Sequence, residues 1–170
     1  MRLLTLLLLS ICVWYAGTAR AADSPSQSRE FQLKTAYLFH FAELAQWPNA
    51  APVTICLQGH SLLRAYLPVL EGQQINGNAV HVTLSDTPDI AQCSILFLSD
   101  LAGLTPVLTE QARQHHVLLV GDVENFANSG GMVQFTLRDN RLKLVVNLAA
   151  VKSADLKLSS KLLRMAEIIE

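Results

Sequence analysis

Cys93-Ser94-Ile95-Leu96-Phe97-Leu98 is the stretch that decides the fold. It is a continuous apolar run closed by Ser99-Asp100. A run that shows no alternation suits a strand buried on both faces of a sheet. His116 to Val120 repeats the pattern downstream, and Thr105 to Gln114 between the two reads as a helix. Pro52 to Leu57 supplies a short strand upstream, closed by Gln58-Gly59. Buried strands that alternate with helices imply a mostly parallel sheet with helices on both faces.

The rest of the chain extends this pattern. Tyr37, Leu38, Phe41, Leu44 and Ala45 fall on one face of a helix that begins near Arg29 and ends at Trp47-Pro48. Phe39 lies about 200° around the helix from Phe41, so it points elsewhere. Ser61 caps a second helix through Leu70, bent or shortened by Pro68. Glu71 to Asn78 is a turn-rich connection, and Ala79 to Leu84 alternates as a strand. Gly121 to Gly131 is a loop of small and polar residues. Met132 to Leu137 and Arg141 to Leu148 flank Asp139-Asn140 as a hairpin, which adds an antiparallel edge. Helical pieces near 149–154 and 159–169 finish the chain. In the second, Leu158, Leu162, Met165, Ala166 and Ile169 share a face. The expected fold is a single α/β domain. It is a three-layer sandwich with a mostly parallel sheet and an antiparallel C-terminal hairpin.

The first residues belong to export rather than to the fold. Met1-Arg2 is positive, Leu3 to Gly17 is apolar, and Ala19-Arg20-Ala21 is an A-x-A cleavage site. This is the layout of a signal peptide over residues 1–21. The apolar run is shorter than the roughly 20 residues a spanning helix needs. An uncleaved anchor is the alternative. Cys12 raises lipidation, but Ile11 stands where a small residue is needed. Residues 22–28 read as a flexible mature N-terminus, and 29–170 as the domain. Loss of Arg2 and Arg20 leaves 11 basic against 14 acidic side chains, a net charge near −3. That balance argues against nucleic acid and against charge-driven membrane binding. Cys56 and Cys93 are the cysteines left after cleavage. An even number in an exported chain reads as a disulfide, worth about 3–4 kcal/mol. Two buried free thiols are the other reading.

The search for chemistry finds little. Phosphate-loop, dinucleotide, nucleophile-elbow, C-x-x-C and H-E-x-x-H patterns are all missing. His115 and His116 are adjacent and point to opposite faces if extended, so they cannot easily grip one ion. No metal and no cofactor is expected. Asp122, Glu124, Asn125 and Asn128 crowd one loop without EF-hand spacing. Asp100 and Asp122 follow strands, where α/β crevices form. Gly130-Gly131 suits a positive φ or a bulge, and Asn147 suits a helix cap or a bond to loop backbone.

An ordered set of motifs carries a resemblance. It runs from Ala36-Tyr37-Leu38-Phe39-His40-Phe41 and Trp47-Pro48 to Ile55-Cys56-Leu57-Gln58-Gly59 and Cys93 to Ser99. It continues through Gly130-Gly131-Met132-Val133-Gln134-Phe135, Val146-Asn147-Leu148 and Leu156 to Leu163. In this order they resemble the YfiR family, also called HmsC-like. The resemblance implies a non-enzymatic periplasmic regulator that represses a YfiN-type inner-membrane diguanylate cyclase, and so controls cyclic di-GMP and biofilm formation. It also implies a homodimer, and release by a YfiB-type outer-membrane lipoprotein. Cys56 and Cys93 match one family disulfide. Some members carry a second pair, where this chain has Ala127 and Gln134. Phe39, Leu158 and Leu162 are candidate partner-binding residues. Trp47, Pro48, Gly130, Gly131 and Asn147 are structural motif residues. A small-ligand sensor acting on a sensor kinase is the alternative function, and an unrecognised hydrolase a third.

Overall fold

The computed structural model describes residues 25–49 and 52–170. The expected signal peptide lies outside the described residues. Helix α1 spans Pro25–Leu44 and starts four residues ahead of Arg29. A two-residue strand, β1 (Ala45–Gln46), follows it directly. Strand β2 is Thr54–Gln58. Two short 3-10 turns, Leu62–Ala65 and Leu67–Leu70, replace the single helix expected there. Pro68 lacks the N–H that an α-helix needs at that point, and it fits the first turn of the second piece. A small ribbon of β3 (Gln74–Ile75) and β4 (Asn78–Ala79) leads into β5 (His81–Ser85).

The chain then gives β6 (Ile95–Leu98), α2 (Pro106–Gln114) and β7 (Leu118–Gly121). The hairpin strands are β8 (Val133–Arg138) and β9 (Arg141–Asn147). Asp139 and Asn140 both take positive φ, which a two-residue hairpin loop requires. After α3 (Leu148–Ser153) come β10 (Lys157–Leu158), α4 (Ser160–Leu163) and β11 (Ala166–Ile169).

Seven strands form one mixed sheet in the order β11-β9-β8-β7-β6-β2-β5. The five from β5 to β8 run parallel, β9 is antiparallel to β8, and β11 is parallel to β9. Two expectations are corrected here. The hairpin is not the edge, because β11 covers β9. The helix expected over 159–169 stops at Leu163, because Ala166–Ile169 bonds to the sheet instead.

Register places Ile55, Ile95, Leu118, Leu57, Phe97, Val120, Val133, Phe135 and Leu144 on one face. Helix α1 lies along that face, with the Phe41 ring stacked 5.8 Å from Phe135. The opposite face carries Cys56, Leu96 and Leu119 and is covered by α2 and the 3-10 turn Ile90–Gln92. The central strands are therefore buried on both sides, which explains their unbroken apolar runs.

Candidate functional site

The disulfide sits at the parallel end of the sheet. Cys56 and Cys93 are bridged with Cα atoms 5.8 Å apart, tying β2 to the entrance of β6. Both cysteines are buried. Trp47 donates its Nε1–H to the carbonyl of Ser94 at 3.3 Å, one residue past the bridge. The Ser94 Oγ in turn accepts from the Thr54 amide at 3.1 Å. The Trp47-Pro48 corner and the disulfide thus form one knot at the amino ends of the strands.

The other end is tied without a covalent bond. Phe126 is fully buried in the loop between β7 and β8. Its ring occupies the space that a Cβ at Gly121 or Gly131 would need, so both positions exclude a side chain. Gly130 takes φ of 103°. The peptide of Ala127 is held between two carboxamides. Its N–H donates to Gln134 Oε1 at 3.1 Å, and its carbonyl accepts from Asn147 Nδ2 at 3.0 Å. Asn147 Oδ1 also accepts from the Ala150 amide at 2.9 Å and caps α3. A direct hydrogen bond therefore joins Ala127 to Gln134.

A buried charge closes the carboxyl edge of the sheet. Helix α1 runs from this edge to the amino edge, since Lys34 reaches Asp122 just after β7 and Trp47 reaches Ser94 just before β6. The Lys34 side chain is 5% exposed and bonds Glu30 at 2.6 Å and Asp122 at 2.7 Å. Its Nζ also lies 5.0 Å from the Phe31 ring centroid. Phe31 stacks on Tyr66 at 5.7 Å. The crevice at strand carboxyl ends is where α/β folds commonly take ligands. Here the first turns of α1 contribute side chains to that edge. Sequence reasoning named Asp122 but not its partner. The clue was available: Phe31, Lys34, Leu38 and Phe41 fall on one helical stripe, and a lysine on a core-facing stripe calls for a buried anion.

Open clefts lie among the described residues. One, of about 690 Å³, lies at the amino edge and is lined by Trp47, several carboxamides, His81, His115 and His116. His116 has φ of 58°, and its Nδ1 lies 2.8 Å from the Ala154 carbonyl. Another, of about 440 Å³, is lined by Asp122, Glu124, Asn125, Thr136, Arg138 and Glu167 among others. Among the described residues, no three His, Cys, Asp or Glu side chains converge as metal ligands. No helix among them is long and apolar enough to cross a membrane. The carboxylates with shifted pKa values lie on the surface. The Val82 amide, and then His81, hold Glu71 below the usual carboxylate range. The Arg113 guanidinium, and then Gln114, lower Glu110 to about 2.

The proposed partner-binding residues do not form one class. Phe39 and Leu158 are half-buried at the margin of the core. Leu162 is 1% exposed and belongs to the core. Its helical turn is anchored by Ser159, which turns that side chain inward, so Leu162 presents no surface in this fold. Sequence reasoning missed other exposed apolar side chains. Leu33 is 40% exposed, Leu137 52% and Ile168 39%. Leu137 pairs with half-buried Leu142, and all of β8, β9 and β11 present these side chains to the α1 side. Leu33 stands one helical turn from Tyr37, whose ring lies 6.0 Å from Phe135. These side chains come from three segments, so no local pattern revealed them.

The model of a family described as YfiR/HmsC-like matches residues 31–167. No curated protein matches the chain. Among solved structures, a conserved domain protein from Vibrio cholerae O1 biovar eltor is similar with a TM-score of 0.55 at 9% identity, over 80% of this chain and 60% of that one. The ABC domain from Streptococcus pneumonia, solved in complex with L-Trp, is similar with a TM-score of 0.52 at 12% identity, over 82% and 60%. This chain spans about 60% of the length of each of these structures, and the likeness is one of fold.

Proposed function

The chain belongs to the YfiR/HmsC-like family of periplasmic, non-catalytic regulators in cyclic di-GMP signalling, and from that premise we propose that it represses an inner-membrane diguanylate cyclase by binding its periplasmic sensor domain. Family membership over residues 31–167 carries this reading. The disulfide supports it, because a bridged cysteine pair suits an oxidising compartment. The exposed apolar side chains Leu33, Leu137 and Ile168 on the α1 side of the molecule support a docking role there, since exposed apolar surface marks interaction sites. Phe39 and Leu158 offer a second apolar margin. In this proposal the mature protein is a homodimer that has lost residues 1–21, and a YfiB-type lipoprotein sequesters it to relieve repression.

Deleting the protein should raise cyclic di-GMP only in cells that hold the cyclase. No change on deletion would refute repression. On the purified protein, Leu137→Asp with Ile168→Asp should weaken binding to the isolated sensor domain by at least about 2 kcal/mol, the scale of an interface hot spot. Unchanged affinity would move the docking surface elsewhere.

One observation favours a second reading, a small-ligand sensor acting on a sensor kinase. The 690 Å³ cleft is large enough for a small molecule and holds Trp47 in its wall. A saturable change in Trp47 fluorescence on titration with periplasmic extract would support that reading, and a flat response would count against it.

A further inference from the structure

The two edges of the sheet are β5 and β11, and β5 carries a side chain where a neighbouring strand would bond. The amide of His81 donates inward to the Val53 carbonyl at 2.9 Å. Backbone groups alternate along a strand, so the N–H and C=O of Val82 and Leu84 point outward. The Glu71 Oε2 accepts the outward Val82 N–H at 2.6 Å, and its Oε1 lies 3.2 Å from His81 Nδ1. The backbone fixes Glu71 in this place. Its own amide donates to Pro68, and the next residue, Gly72, donates to Val80 at 2.9 Å.

Strand β5 is otherwise a willing template. His-Val-Thr-Leu-Ser contains no proline, no lysine and no carboxylate, the usual protections of an edge. It is also self-complementary. An antiparallel two-fold pairing centred on Thr83 sets Val82 opposite Leu84 of the second copy. Each such pair exchanges two backbone hydrogen bonds, four in all, with no like charges facing within the strand. The Glu71 carboxylate occupies one of those donors in each copy.

We propose that Glu71 is an edge guard, whose carboxylate keeps a second copy of this chain from pairing with β5 and joining two sheets into one. The contact it prevents consumes the β5 edge of both copies, so it joins protomers in pairs.

The test compares the full mature chain with Glu71→Ala, Glu71→Asp and Glu71→Gln by sedimentation and by hydrogen exchange at the Leu84 amide. Aspartate is one methylene too short to reach Val82, whereas glutamine keeps an acceptor oxygen. In Glu71→Ala and Glu71→Asp the average mass should rise with concentration above that of the wild type. The Leu84 amide should slow by about tenfold over the same range. Glu71→Gln should match the wild type. Leu84→Pro added to Glu71→Ala removes an outward donor and should reverse both changes. Unchanged mass and exchange in both Glu71→Ala and Glu71→Asp would overturn the proposal. So would a mass increase that Leu84→Pro leaves in place, or pairing by Glu71→Gln equal to that of Glu71→Ala. If Glu71→Ala does not fold, Glu71→Asp carries the same comparison.

Discussion

The two ends of the sheet solve one problem in different chemistry. At the parallel end, β2 and β6 are joined by the Cys56–Cys93 bond. At the hairpin end, the loop from Asp122 to Gly131 is held by the Phe126 ring, two glycines and the carboxamides of Gln134 and Asn147. The bond acts mainly on the unfolded chain, by limiting its freedom. The wedge and the carboxamides act on the folded state, by packing and by satisfying a buried peptide. The difference teaches that rigidity at one end depends on redox conditions, while rigidity at the other does not.

Several changes would break or sharpen this contrast. Phe126→Ala should cost most, about 3–5 kcal/mol, because it empties a site that glycines on both sides cannot refill. Its denaturation midpoint should fall equally with and without reductant. Removing the bridge with Cys56→Ala and Cys93→Ala should cost about 3–4 kcal/mol. Amide exchange should then quicken in β2, β5 and β6 more than in the Phe126 loop, and uniform quickening would dissolve the distinction. Gln134→Ala leaves the Ala127 N–H buried without its acceptor, at about 1–3 kcal/mol, and should leave the response to reductant intact. The smallest effect belongs to Glu110 on the exposed face of α2. Its folded pKa of about 2 lies below the ordinary value of 4.5. Its contribution is therefore full above pH 4.5 and fades as pH falls toward 2. Glu110→Gln should flatten the melting temperature across that window alone.

Much of the fold was legible because burial leaves a simple trace. Strands β6 and β7 are covered on both faces and read as unbroken apolar runs. Asp139-Asn140 announced its hairpin because few residues accept two successive positive φ values. The C-terminus was misread for a physical reason. Leu158, Leu162, Met165, Ala166 and Ile169 match helical spacing, and Lys161 to Glu167 are good helix formers. Yet β9 offers a free edge, and Ala-Glu-Ile-Ile is too short for alternation to show. The long-range partner won over local preference. The site residues were legible where one residue sufficed, as at Cys56, Cys93 and Asn147. They were hidden where distant segments meet, as Lys34 meets Asp122.

The disulfide has a consequence for exchange between molecules. Its bond closes a covalent ring, and β5 lies inside that ring. Swapping a strand between two copies needs a hinge on one flank and a leading end on the other. A strand inside a ring has two tethered flanks and no leading end. Trading β5 for the same strand of a neighbour must therefore wait for reduction. While the bond stands, each molecule keeps this edge as its own.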